Sequence, residues 1–149
     1  MALLEVLEYP NPILRKAALA VSAFDRVLEV LVRDMFETAL CYDGIGLAAP
    51  QIGVSQRVFI MSLGSKKRAI VNPVIFRKEG VRRMEEGCLS LPGVLVEVER
   101  AETIEFESSN LQGERYTGKL NGLMATIFQH EYDHLDGVLI TDHGCPIVR

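Results

Sequence analysis

Five residues, His130-Glu131-Tyr132-Asp133-His134, constrain this 149-residue chain more than any other feature. On a helix, side chains four apart lie one above the other. Two imidazoles at that spacing can share one metal ion, with the intervening Glu131 held beside it. With only 3 His in the chain, a shuffled sequence would hold roughly 0.004 such patterns, so chance is a poor explanation. The helix expectation is independent of the motif. At about 100° per residue from Leu120, the side chains of Leu120, Leu123, Met124, Ile127, Phe128 and Leu135 fall in one stripe. His130, Glu131 and His134 fall on or beside it, and Gln129, Asp133 and Asp136 point away. Asn121 is placed to cap the start, and Gly137 to stop the end. The bland alternative is a core helix with two satisfied histidines, but a carboxylate on a buried face is costly without a partner.

A catalytic site of this type needs a third ligand and an open coordination position. The residues that offer one are Cys88, His143, Cys145 or an acidic side chain. Cys88 sits in Glu86-Gly87-Cys88-Leu89-Ser90-Leu91-Pro92-Gly93, where glycine and proline shape the backbone for something other than packing. An isolated cysteine is otherwise a small buried hydrophobe. Gly44-Ile45-Gly46-Leu47-Ala48-Ala49-Pro50-Gln51 matches a dinucleotide-binding pattern but fails on context. A helix precedes the glycines, Pro50 interrupts any helix after them, and no acidic residue follows at the required distance. Close approach of a second backbone, as of an extended peptide, explains the glycines better. Gln51 then offers an uncharged amide donor at the end of the loop.

Elsewhere the pattern predicts a helix over Phe24–Tyr42, capped by Ser22 or Asp25. Strands are predicted at Arg57–Leu63, Ala69–Asn72, Val81–Glu85, Val94–Glu99 and Glu102–Glu107, with turns at Gly64-Ser65, Asn72-Pro73, Pro92-Gly93 and Gln112-Gly113. Helix, short strands, then helix argues for one α+β domain over 1–149, its mostly antiparallel sheets around a central helix bearing the H-E-x-x-H motif. Net charge is −4, which gives no nucleic-acid signal, yet no acid occurs from Gly44 through Lys78. Arg57, Lys66, Lys67, Arg68, Arg77 and Lys78 make that stretch basic, as a solvated face or for an anionic partner such as ribosomal RNA. Glu5 and Glu8 argue against a signal peptide, and no apolar run is long enough to span a membrane. Three widely spaced cysteines fit a reducing, cytoplasmic compartment.

Taken together, Gly-Ile-Gly-Leu-Ala-Ala-Pro-Gln (44–51), Glu-Gly-Cys-Leu-Ser (86–90) and Gln-His-Glu-Tyr-Asp-His (129–134) resemble the three motifs of the peptide deformylase family, in order and well spaced. The similarity runs from Leu7 to about Asp142. It implies a metallohydrolase that removes the N-formyl group from the initiator methionine of new polypeptides and releases formate. By that resemblance Cys88, His130 and His134 hold one divalent metal, natively iron(II), with zinc, nickel or cobalt as substitutes. Glu131 is the general acid/base, and Gln51 with the Leu89 amide binds the oxyanion. Gly44, Ile45 and Gly46 meet the substrate backbone, while Met84, Leu123 and Ile127 border the methionine pocket, with His130 at its edge. The implied partners are formylmethionyl nascent peptides met by a monomer, with weak ribosome contact through the basic residues and neither DNA nor membrane. The implied compartment is the cytoplasm, a host's for a virus-encoded form, or an organelle stroma for a plastid one.

Two departures stand out. Many bacterial members carry arginine where this chain has Leu95, and many continue into a C-terminal helix after the position of Asp142. The short form resembles phage-encoded members, and Gln-His-Glu-Tyr-Asp-His-Leu-Asp-Gly (129–137) is similar to the plastid branch. Two other readings compete. A metallopeptidase cutting internal bonds needs a ligand downstream of His134, where only His143 is available. A metal-stabilised binding module needs Cys145 or His143 to close the fourth position.

Overall fold

The computed structural model describes residues 3–148. Helix α1 (Arg26–Cys41) starts at Asp25, whose carboxylate accepts a hydrogen bond from the Leu28 amide at 3.2 Å, so Asp25 and not Ser22 is the cap. Seven strands follow: β1 (Gly46–Ala48), β2 (Val58–Leu63), β3 (Lys66–Glu79), β4 (Arg82–Cys88), β5 (Leu91–Arg100), β6 (Thr103–Ser109) and β7 (Arg115–Asn121). Helix α2 (Gly122–Leu135) carries the H-E-x-x-H motif. Every strand pair is antiparallel, as the sequence pattern predicts. Five strands form one sheet in the order β1-β2-β3-β6-β7, and β4 pairs with β5 in a separate hairpin.

β2 shows why the two helices lie on opposite faces of the larger sheet. Its side chains alternate, and both faces are buried. Val58 and Ile60 join the cluster that takes Leu28, Val32, Met35 and Ala39 from α1. Phe59 and Met61 join the cluster that takes Ala125, Ile127, Phe128 and Leu135 from α2. A third cluster seats the hairpin, through Val96 and Val98, on Leu14, Leu139 and Ile140. α2 therefore has the aromatic core on one flank and the hairpin on the other. No helix among the described residues is long and apolar enough to cross a membrane.

Several sequence-based expectations need correction. Asn72-Pro73 does not end a strand. Asn72 takes φ +48° inside β3, the register against β6 shifts there, and its amide is tied to both the Val21 N–H and C=O. Likewise the β4–β5 turn is Leu89-Ser90, closed by the Cys88↔Leu91 pair. Pro92-Gly93 instead lies within β5, where the register shifts before Val96 pairs with Glu86. β1 is only three residues long and β7 carries only Tyr116 and Leu120 as large apolar residues, and the sequence pattern passes over both. Leu120 lies within β7 and does not open the helix, and the Asn121 side chain makes no capping bond. Gln129, expected to point outward, is buried and bonds both the N–H and C=O of Ala101. The basic stretch is also not one patch. Arg57 bonds the Leu135 carbonyl and Asp136, and Arg77 pairs with Glu79 and Glu105, which leaves Lys66, Lys67 and Arg68 exposed at the start of β3 and Lys78 exposed near its end.

Candidate active site

α2 supplies His130, Glu131 and His134, β4 ends on Cys88, and the short helical turn Ala49–Ile52 carries Gln51. The ligand-type atoms of Cys88, His130 and His134 all lie within 4.8 Å of one another, and they are the one such group of three among the described residues. Cys88 Sγ lies 3.4 Å from His134 Nε2. A thiolate and an imidazole sharing one tetrahedral divalent ion stand roughly 3.5 Å apart. The Nδ1 of His130 is bonded to a Glu86 carboxylate oxygen at 2.8 Å, which leaves Nε2 as its metal-facing nitrogen. The donor set thus fits a divalent first-row ion, held by three protein ligands as in catalytic sites.

His143 and Cys145 stay outside. His143 Nε2 meets Asp133 at 2.9 Å, and Cys145 is exposed. The closed structural site and the downstream-ligand metallopeptidase both lack their required residue.

A cleft of about 310 Å³ opens over Cys88 and His130. Gly44, Ile45, Gly46, Met84, Leu123 and Ile127 all line it, as do Gln51, Leu89 and Glu131. Gly46 has a steric reason to be glycine: a Cβ there would sit 2.5 Å from the Glu131 carboxylate. Gln51 is buried, with its Oε1 accepting from the Ala48 amide at 2.9 Å. Its Nε2 donates to Ser90 Oγ at 3.1 Å and approaches Cys88 Sγ at 3.5 Å. The side-chain amide hydrogens therefore face the corner that holds the thiol.

Glu86, Arg100 and Asp133 are what sequence reasoning missed. Arg100, on β5, donates to both Glu86 oxygens at 2.7 and 2.9 Å and to Asp133 at 2.9 Å. Glu86 lies two residues from Cys88, and Asp133 is next to His134, so one buried guanidinium ties the thiol strand to the histidine helix. Burial would raise the Glu86 carboxyl, but hydrogen bonds from His130 and Arg100 win and bring it down to about 2. For Glu131 burial wins. Desolvation pushes it up to about 7 against the lowering charges of His130 and Arg100, and one of its oxygens has no protein partner. Burial also lowers His134, assisted by the charges of His130 and Arg100, which keeps that imidazole neutral as a ligand must be. His130 is desolvated as well, yet Glu131, Cys88 and Glu86 together raise it to about 10. Anions that hold a proton there would attract a divalent cation for the same reason, and a bound cation would take that proton's place.

The chain matches known proteins along nearly its whole length. A family model described as Polypeptide deformylase matches residues 3–148. Peptide deformylase of Thermotoga maritima is 45% identical over 95% of this chain and 87% of its own length. Peptide deformylase 1 of Bacillus anthracis is 45% identical over 95% of this chain and 92% of its own. Among solved structures, the Thermotoga maritima peptide deformylase superposes with a TM-score of 0.95 at 43% identity, covering 98% of this chain and all of that one. A Synechococcus elongatus peptide deformylase in complex with actinonin gives 0.91 at 37% identity, covering 95% and 78%.

Proposed function

The chain belongs to the polypeptide deformylase family, and we propose that Cys88, His130 and His134 hold its metal while Glu131, Gln51 and the Leu89 amide carry the reaction. That reaction is the metal-dependent removal of the N-formyl group from newly made polypeptides. One observation carries the residue assignment: a thiol and two imidazoles converge beside a buried carboxylate and a buried amide, and all of these except the enclosed His134 line one cleft.

When bound, the ion supplies Lewis acidity, polarising a carbonyl and lowering the pKa of water. Glu131 takes a proton from the attacking water and delivers it to the peptide nitrogen as the C–N bond of the formamide breaks, so formate and a free amine leave. Its raised pKa suits both halves of that transfer near neutral pH. Gln51 Nε2 and the Leu89 N–H face the oxygen on which negative charge grows. Gly46 opens β1, the edge strand of the sheet, and Gly44 and Ile45 lead into it, so the three present their backbone to that of the substrate. Met84, Leu123 and Ile127 give the methionine side chain an apolar pocket suited to an unbranched thioether. The native ion in this reading is iron(II), with zinc a weaker substitute. The exposed Lys66, Lys67 and Arg68 are the residues available for a weak ribosome contact.

The test is release of formate from formyl-Met-Ala-Ser, read beside metal content. One equivalent of metal, loss of activity on chelation and recovery with added iron(II) are expected. Formyl-Met peptides should be cleaved far better than acetyl-Met peptides, because the Gln51–Leu89 corner leaves no room for an added methyl. Comparable kcat/KM for the two would replace the deformylase reading with a broader amidohydrolase.

A further inference from the structure

Ser90 is fully buried in the two-residue turn between β4 and β5, and its hydroxyl oxygen accepts a hydrogen bond from Gln51 Nε2 at 3.1 Å. From this we infer that Ser90 is a positioning residue that holds the Gln51 amide in its productive orientation. The inference rests on the reading of Gln51 as oxyanion donor.

A glutamine amide has an acceptor end and a donor end, and its terminal torsion is soft. Only the donor end can stabilise an oxyanion. In this protein both ends are specified. The Ala48 N–H requires an acceptor and takes Oε1 at 2.9 Å, and the Ser90 oxygen takes one hydrogen of Nε2. The second hydrogen is thereby directed along the Cys88 side, into the cleft. The main chains of both partners are held by one segment. The Leu7 N–H bonds the Gln51 carbonyl at 2.6 Å, and the Tyr9 N–H bonds the Ser90 carbonyl at 2.9 Å. With both backbones fixed, the Ser90 hydroxyl decides where the amide points. Without it the amide keeps only the Ala48 bond and the long contact to Cys88 Sγ, which leaves its donor end free to pivot. A donor aimed at charge that grows in the transition state loses kcat when misaimed and changes KM little.

A double-mutant cycle separates positioning from bulk structure. Gln51→Leu should lower kcat by ~10²–10³, the effect of losing one oxyanion donor. Ser90→Ala should lower kcat by about 10-fold, short of the ~10² that an ångström of misplacement can cost. Combined with Gln51→Leu, Ser90→Ala should cost less than about 2-fold further, since no amide remains to aim. KM, metal content and unfolding temperature should stay near wild type throughout. Ser90→Cys keeps the side chain's size with a weaker acceptor. It should fall between serine and alanine, and it takes alanine's place in the cycle if Ser90→Ala does not fold. An undiminished loss in the Gln51→Leu background, loss of metal with Ser90→Ala, or wild-type kcat in Ser90→Ala each overturns the positioning role. Wild-type kcat in Gln51→Leu instead removes the oxyanion assignment itself, and the role of Ser90 with it.

Discussion

Helix α2 meets the five-stranded sheet through aromatic rings and meets the β4–β5 hairpin through charge. On the sheet flank, Phe128 packs edge-on to Phe59 at 5.0 Å and tilted against Phe106 at 4.4 Å between ring centroids. On the hairpin flank, His130, Glu86, Arg100 and Asp133 form one connected set of hydrogen bonds. Dispersion and burial on the first flank are shared among many weak contacts, so shape can be traded between neighbours. On the second, removing one partner strips a buried charge of part of its compensation, because Arg100 answers both Glu86 and Asp133 and Glu86 answers both Arg100 and His130. One helix thus carries a tolerant face that holds the fold and an intolerant face that holds the chemistry.

The sharpest way to break this comparison is at the ligands. Cys88→Ala, His130→Ala and His134→Ala should each lose bound metal and all measurable deformylation while the protein stays folded, because the aromatic flank is untouched. A Cys88→Ala protein that keeps one equivalent of metal at wild-type rate would show the ligand set to be misassigned. Arg100→Met comes next, at about 3–5 kcal/mol of stability, the usual cost of stripping one partner from a buried ion pair. Denaturant unfolding of the metal-free protein measures it. The pH dependence has a definite sign. Glu86 is held near 2 against an ordinary 4.5, so its contribution is present above that ordinary value and is lost as pH falls through about 2. Arg100→Met should flatten this acid limb.

Glu131→Gln should lower kcat by at least ~10², about 2.7 kcal/mol in barrier, with metal near stoichiometric. Its unfolding midpoint at neutral pH should not fall, since a buried carboxylate with a raised pKa opposes folding as pH rises through about 7. Metal loss in this variant would make Glu131 a ligand. The smallest effect belongs to the sheet flank. Met61→Leu, fully buried and nearly volume-conserving, should cost under ~1.5 kcal/mol and leave kcat and metal content alone. A larger penalty there would mean that the aromatic flank is no more tolerant than the charged one.

The same division explains what could be read from the sequence. Helical and strand periodicity are local, so α1, α2 and the central strands are visible in the apolar pattern, and His130 and His134 follow from helical spacing alone. Cys88 stands out from its loop only as one of several possible ligands and Gln51 only as an amide donor; their roles, with that of Leu89, come through the motif resemblance, because residues 37 and more positions apart announce no proximity by pattern. The Arg100 tie was invisible for the same reason: it links β4, β5 and α2, and an arginine in an alternating strand reads as solvent-facing. Gln129 was misjudged because an amphipathic stripe presumes one wet face, whereas both flanks of α2 are covered. Asn72-Pro73 and Pro92-Gly93 carry turn chemistry, but pairing of β3 with β6 and of β5 with β4 absorbs each as an irregularity within its strand.

The contact between Gly46 and Glu131 has a pharmacological consequence. A side chain at position 46 would strike the Glu131 carboxylate, so replacing this glycine would displace the group to which we assign the proton transfer. An inhibitor that takes its affinity from the backbone of residue 46 is anchored to atoms that substitution elsewhere does not remove. Mutational escape at that point would disable the target along with the drug's grip on it.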